Sequence, residues 1–449
     1  MRESKRRRAL ELAKDALIVL LACSALWLAA RTQLISPLSG LLGDDGSQTV
    51  TGVDQTPSEE GGALTPMAMV VNLPREDPPT GSALPQESWV RFGILYDQRA
   101  CQELFQRVAG PLAEVLFGAG PPEEISRDQW EEALTRRLGI YLDFQGEIPL
   151  PVLTGWLSGT PLQGDGSVRR MVLAVEEEQV VLYYRNETDG AFYRCSCGTV
   201  SAQALTEVLS SASGREVFYA FEAEEYSSLD PDTLLFDDMP ELEVYAASNP
   251  VSGQGALRDL VEDLGFPLDS TNFYPSDEQV ARSGDDSVRL SDRGVAVYTA
   301  GEEAGVLPPV RTAGEGALFE CVEVCRQVAM SALGPRCGEA RLYLISARTV
   351  QNGYEIEFGY SMNGVPVQLE EGYAARFQVS DGRIQQFTLY LRSYVFNGGS
   401  SVVLPVRQAV AALEAEGLEG RELLLVYPDG GGDTLTAGWT ARDNTAGRE

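Results

Sequence analysis

The sequence predicts an α+β protein: a single N-terminal membrane helix followed by two extracytoplasmic α+β domains with mainly antiparallel sheets. Three observations carry this. A cluster of basic residues precedes one lone apolar run. Runs of alternating apolar residues alternate with segments of helical period. Asn-Gly and Asp-Gly pairs punctuate the C-terminal third, where they signal tight hairpins.

The apolar core of the first segment is Ala16–Ala30, inside "KDALIVLLACSALWLAAR". A spanning helix needs about 20 residues, so a cleaved signal peptide is an alternative. Retention is favoured by Leu10, Leu12 and Ala13, which extend the pattern backwards, by Trp27 near the far end, and by the missing A-x-A site. A lipid anchor at Cys23 is the third option, but Leu21 is not the small residue that a lipobox wants. Lys5, Arg6, Arg7 and Arg8 place the N-terminus in the cytoplasm and the bulk outside the cell membrane. The expected organisation is a basic tail and membrane helix over 1–35, a Gly/Ser/Pro-rich acidic linker over 36–64, and α+β domains over 65–310 and 311–449.

The net charge of −31 over 449 residues argues against nucleic acid and anionic polymers as partners. Two absences narrow the chemistry further. There is no His, and no Lys beyond Lys14. Histidine bases, Ser-His-Asp sites, H-E-x-x-H zinc sites and the Walker lysine are therefore excluded. Carboxylates, Cys and Tyr remain.

Along the chain, 67–73 and 89–96 read as strands. Leu104, Val108, Leu112 and Val115 form a helical stripe that Gly110-Pro111 is expected to break or kink. "SRDQWEEALTRRLG" opens with Ser126 and Gln129 at capping-box spacing and is expected to end at Gly139. "RRMVLAV", "VVLYYR" and "AFYRCSC" form a meander, and "ALRDLVEDLG" a helix stopped by Gly265. Past 311 the order reads α-β-β-β-β-α-β: a helix over about 315–333, strands near 340–349, 354–361, 373–379 and 383–394, a helix after Pro405, and "ELLLVY".

Several motifs are weighed as sites. Cys321 and Cys325 share a helical face with Leu318 and Val328, so they read as core; a disulfide or a metal site is the alternative. Cys195 and Cys197 share one strand face, with Cys101 and Cys337 apart. Glu176–Glu178 read as a solvated turn. Gly253/Gly255 and Gly314/Gly316 lack the third glycine of a dinucleotide loop and read as helix-start glycines. Tyr354, Tyr360, Tyr373, Tyr390 and Tyr394 read as cross-strand partners rather than a sugar face. No catalytic, cofactor-binding or metal residue is assigned.

The stretch "ISRDQWEEALTRRLGIYLDFQGEIPLPVLTGWL" and the later "YEIEFGYSMNGVPVQLEEGYAARFQVSDGRIQQFTLYLRSY" resemble the YycH/YycI regulators of Gram-positive bacteria. Residues 65–310 look YycH-like and 311–449 YycI-like. The resemblance implies a non-enzymatic membrane protein that adjusts a sensor histidine kinase of a two-component system, with no cofactor and no catalytic residues to carry over. An exported carboxylate-dependent wall glycosidase and a cell-envelope scaffold are the rivals.

Overall fold

The apolar runs of the N-terminal half pair with one another before they meet anything else. In the computed structural model the described residues are 64–75, 89–251, 253, 255–274, 278–302 and 305–443. The membrane helix expected at Ala16–Ala30, the linker up to residue 63 and the lipid-anchor alternative lie outside them. Among the described residues no helix is long and apolar enough to cross a membrane.

The front of the chain comprises β1 (Ala68–Pro74), β2 (Trp89–Leu95), α1 (Gln98–Gly118), β3 (Glu123–Ile125), α2 (Arg127–Thr135), β4 (Gly139–Pro149) and α3 (Leu150–Ser158). The meander follows as β5 (Ser167–Glu176), β6 (Gln179–Asn186) and β7 (Phe192–Ser201), then α4 (Ala202–Ser210) and β8 (Arg215–Glu216). These strands form one antiparallel sheet in the order β8-β2-β1-β4-β5-β6-β7-β3. Glu177 and Glu178 close the first hairpin of the meander, both with positive φ.

The helix α1 runs unbroken through Pro111, against expectation. Its Cys101, Leu104, Phe105, Val108, Leu112 and Val115 are all buried. Each large side chain contributes roughly 1.5–3 kcal/mol, which together outweighs the ~3 kcal/mol cost of one proline. The capping box of Ser126 and Gln129 forms with both hydrogen bonds, but α2 ends at Thr135. Gly139 begins β4 instead of stopping the helix. A Cβ there would lie 2.3 Å from the Leu173 carbonyl oxygen of the neighbouring strand.

A short pair, β9 (Phe218–Tyr219) and β10 (Leu234–Leu235), leads to β11 (Leu242–Ser248) and α5 (Ala256–Asp263). Next come β12 (Asn272–Tyr274), β13 (Gln279–Ser283), β14 (Asp286–Leu290), β15 (Val295–Thr299) and α6 (Ala317–Leu333). The back adds β16 (Arg341–Val350), β17 (Gly353–Met362), β18 (Val365–Leu369), β19 (Ala375–Ser380), β20 (Arg383–Tyr390) and β21 (Ser393–Ser401). Its last elements are α7 (Val406–Ala415), β22 (Glu422–Asp429), β23 (Thr434–Leu435) and β24 (Gly438–Arg442).

The back sheet is antiparallel in the order β12-β13-β14-β15-β20-β19-β17-β16. The expected boundary at 310/311 is thus crossed by the five-residue β15–β20 ladder. It is crossed again where β11 pairs with β21 and β23, and where β4 touches β16 at Glu147–Ser346. The described residues fall in one compact unit.

Three details of the back differ from expectation. Asn363-Gly364 and Asp381-Gly382 take the left-handed pair of a tight turn, but Asn352-Gly353 does not. Gly353 starts β17, where a Cβ would sit 1.8 Å from the Val379 oxygen. The strand β18 was not expected; it lies parallel to β22. The single strand expected over 383–394 is two, because the chain leaves the sheet after Tyr390 and β21 joins β11 elsewhere.

Front and back meet where side chains are missing. A Cβ on Gly146 of β4 would lie 1.9 Å from the Leu344 oxygen of β16. One on Gly155 of α3 would lie 2.4 Å from the Phe319 ring of α6. Gly110 of α1, by contrast, has open space at that position. Gly146→Ala should therefore destabilise by about 1–3 kcal/mol, and Gly110→Ala should stabilise by about 0.5–1 kcal/mol. Urea unfolding midpoints measure both, and opposite signs are expected.

Candidate functional site

Two consecutive arginines on β5, Arg169 and Arg170, are both buried. Successive strand residues normally point to opposite faces. Here the ladder slips on both sides, between Asp143 and Ile148 on β4 and between Val168 and Met171 against β6. Such a bulge re-aims side chains locally. Arg169 grips Asp143 through Nε (2.9 Å) and Nη2 (2.8 Å), and Glu422 of β22 through Nη1 and Nη2 (2.7 Å each). Arg170 Nη2 lies 2.8 Å from Glu422 Oε1 as an ion pair, and its Nη1 donates to Asp232 at 3.4 Å.

The network extends outward on both sides. Asp232 also accepts from Arg127 Nη2 at 2.7 Å and from the Trp130 indole at 3.1 Å. Glu422 also accepts from Arg442 Nη2 at 2.8 Å. Burial alone would raise the Glu422 carboxyl, but Arg169, Arg442 and Arg170 overcome it and hold the group well below the usual carboxylate range. Tyr141 is pushed the other way, by burial and by Asp143.

This arrangement bears directly on carboxylate catalysis. A glycosidase acid needs a raised pKa and an open cleft. Glu422 is ionised, buried and saturated with donors. Glu187 is raised by burial, but Arg185 stands 3.8 Å away and opposes it. An open cleft of about 550 Å³ lies elsewhere, between α2 and the β5–β6 hairpin, and is lined by Trp89, Arg136, Arg137, Glu176 and Arg194 among others. Its Glu176 is held by Arg137, by Arg194 at 2.7 Å and by the Tyr183 hydroxyl. Glu176 is therefore an ion-paired wall rather than part of a solvated turn; only Glu177 and Glu178 are exposed.

The remaining sequence motifs fall mostly into structure. Cys321 and Cys325 are fully buried in α6, and all six described cysteines are free thiols in the interior. Burial pushes Cys321 up to about 12 and holds Cys325 well above the usual thiol range, which keeps both protonated and poor nucleophiles. No group of three or more His, Cys, Asp or Glu able to hold a metal exists among the described residues. Gly255 and Gly316 are the positive-φ caps that open α5 and α6. Tyr360 packs edge-on against Tyr394, and Tyr373 against Tyr390. Arg169, Arg170 and Glu422 had no local signal beyond an arginine doublet at the head of an apolar strand.

The architecture defines a large α+β protein built on two antiparallel sheets. No family model matches the chain, and no curated protein matches it. Among solved structures, the crystal structure of YycH from Bacillus subtilis is similar, with a TM-score of 0.55 at 10% identity. The match covers 89% of this chain and 98% of that one. The fold is therefore YycH-like, and the likeness runs well past residue 310 instead of stopping at the expected front domain.

The buried network sets an acid response. The folded Glu422 value lies below the unfolded value of about 4.3, so its contribution is complete above that pH and is lost as pH falls through the folded value. Glu422→Gln should cost about 3–5 kcal/mol at neutral pH by leaving Arg169 and Arg170 uncompensated. It should also flatten the fall of stability below about pH 4.3. Urea titrations across pH 3–7 check both.

Proposed function

We propose that this protein is a membrane-anchored extracytoplasmic regulator that modulates a sensor histidine kinase by protein–protein contact, without catalysis. The observation that carries the reading is the YycH-like fold over 89% of the chain. Three features support it over an enzymatic reading. The chain has no His and no Lys beyond Lys14. Of the five buried acids among the described residues, Asp143, Asp232, Glu422 and Asp429 are ion-paired with arginine, and Asp286 accepts from the Tyr298 hydroxyl and the Gly301 and Val306 amides. Glu176 in the open cleft is taken by Arg137 and Arg194.

In this reading Ala16–Ala30 is the single-pass anchor, the basic tail faces the cytoplasm and the α+β body faces outward. The YycI-like texture of 311–449 makes the back half a second source of regulatory contacts within one chain. Ala25 and Ala29 are spaced i, i+4 in the sequence, and on such an anchor helix they would let a partner helix approach closely.

The test is made in cells that carry the sensor kinase. Deletion of this protein should change phosphorylation of the kinase's response regulator by about fivefold or more. Ala25→Leu with Ala29→Leu should weaken co-purification with the kinase and leave membrane insertion intact. An unchanged phosphorylation level together with release of wall saccharides by the purified chain would contradict the proposal and favour the hydrolase.

A further inference from the structure

The strand β21 is the outer strand of a three-stranded sheet, β21-β11-β23. Its first residues are covered. Tyr394 pairs with Gly338, and the Phe396 amide donates to Glu339 Oε1 at 2.9 Å. A register shift against β11 then leaves Asn397 and Gly398 unpaired. Past this bulge, residues 399–403 have no backbone partner on the outer side among the described residues. The segment is pinned again at Leu404, whose carbonyl accepts from the Trp439 indole at 2.8 Å.

Natural sheets protect such edges with charge, proline, bulges or a covering element. This one carries a bulge and then nothing until Pro405. The run "SYVFNGGSSVVLP" from Ser393 to Pro405 contains no charged residue. It holds Val395 (52% exposed), Phe396 (44%), Val402 (99%) and Leu404 (51%), half of the large apolar side chains exposed on the described surface. Beside it stand two carboxylates, Glu243 opposite Ser400 on β11 and Glu339 against Phe396. Neither forms an ion pair with an arginine among the described residues.

We propose that residues 399–404 accept an extended, basic segment of a partner protein, which adds to the sheet as a further strand. Main-chain groups of the incoming strand pair with the open edge. Its apolar side chains cover Val402 and Leu404. Its Lys or Arg residues face Glu243 and Glu339, on a chain whose own net charge is −31. A second copy of the chain is a poor occupant, because it brings the same net charge and the same two carboxylates. The proposal deepens the regulatory reading above by naming the contact surface, and rests on it only for whose segment is bound.

The test uses the full chain in detergent and a synthetic nonapeptide with a Val-Thr-Val-Ile-Val centre and two lysines at each end. Binding is read by fluorescence anisotropy and by hydrogen exchange. The lysine peptide should bind and protect the amides of 399–404. The same peptide flanked by glutamates should bind about tenfold or more weakly, and added salt should narrow the difference. Val402→Lys should cut the lysine peptide's affinity about tenfold or more without moving the unfolding midpoint, because the Val402 side chain is almost fully exposed. Equal binding of both peptides, or full binding by Val402→Lys, would overturn the proposal. So would a wild-type dimer that Val402→Lys converts to a monomer, which would give the edge to a second copy. In cells, loss of kinase regulation in Val402→Lys supports the edge as the regulatory contact. Intact regulation despite lost peptide binding would overturn that role and leave the regulatory reading standing.

Discussion

Arg169 and Arg170 bring two adjacent positive charges into the interior, and the packing around them follows from how those charges are neutralised. Front residues alone do not suffice. Asp143 on β4 serves Arg169, and Asp232 from the 220–235 segment serves Arg170. Glu422 on β22 reaches both from 253 and 252 positions away in sequence. A guanidinium buried without a partner would cost several kcal/mol. The first strand of the last hairpin is therefore bound to the centre of the meander. Replacing such a network by apolar side chains is often neutral, so its contribution lies less in net stability than in fixing which strands meet.

The same constraint explains the shape of the rest. Once β22 is held against β5, β18 lies alongside it and β24 closes the other side. Arg442 on β24 completes the charge balance at Glu422 and also reaches the Gln145 carbonyl. The backbones approach closely at Gly146 and Gly155, where any side chain would collide with the opposite half. Carboxylates used in this way are unavailable for proton transfer.

Much of this fold is legible locally. The capping box at Ser126 and Gln129, the Asn363-Gly364 and Asp381-Gly382 turns, and the buried face of Cys321 and Cys325 follow from short-range rules that tertiary structure leaves intact. Pro111 shows the limit, since a buried stripe overrode the local penalty. Gly139 and Gly353 show another. Their absent side chains answer to a strand approaching from 34 or 26 residues away, Leu173 and Val379, and not to the turn or cap that the sequence suggests. The ion network was illegible for the same reason. Nothing near Arg169 points to Glu422, and an acid-rich chain offers dozens of equivalent partners. The open edge past Gly398 could have been suspected, because a long uncharged run with two consecutive valines is unusual in so charged a sequence.

The front and back sheets form one cooperative body centred on Arg169, Arg170 and Glu422, with no independent unit beginning at residue 311. Native-state hydrogen exchange measures this most directly. The account predicts that the amides of β4, β5, β20 and β22 share the highest opening free energy and lose protection together as denaturant rises. Separate loss, with the amides of 311–443 opening in one step while β4 and β5 stay protected, would contradict it.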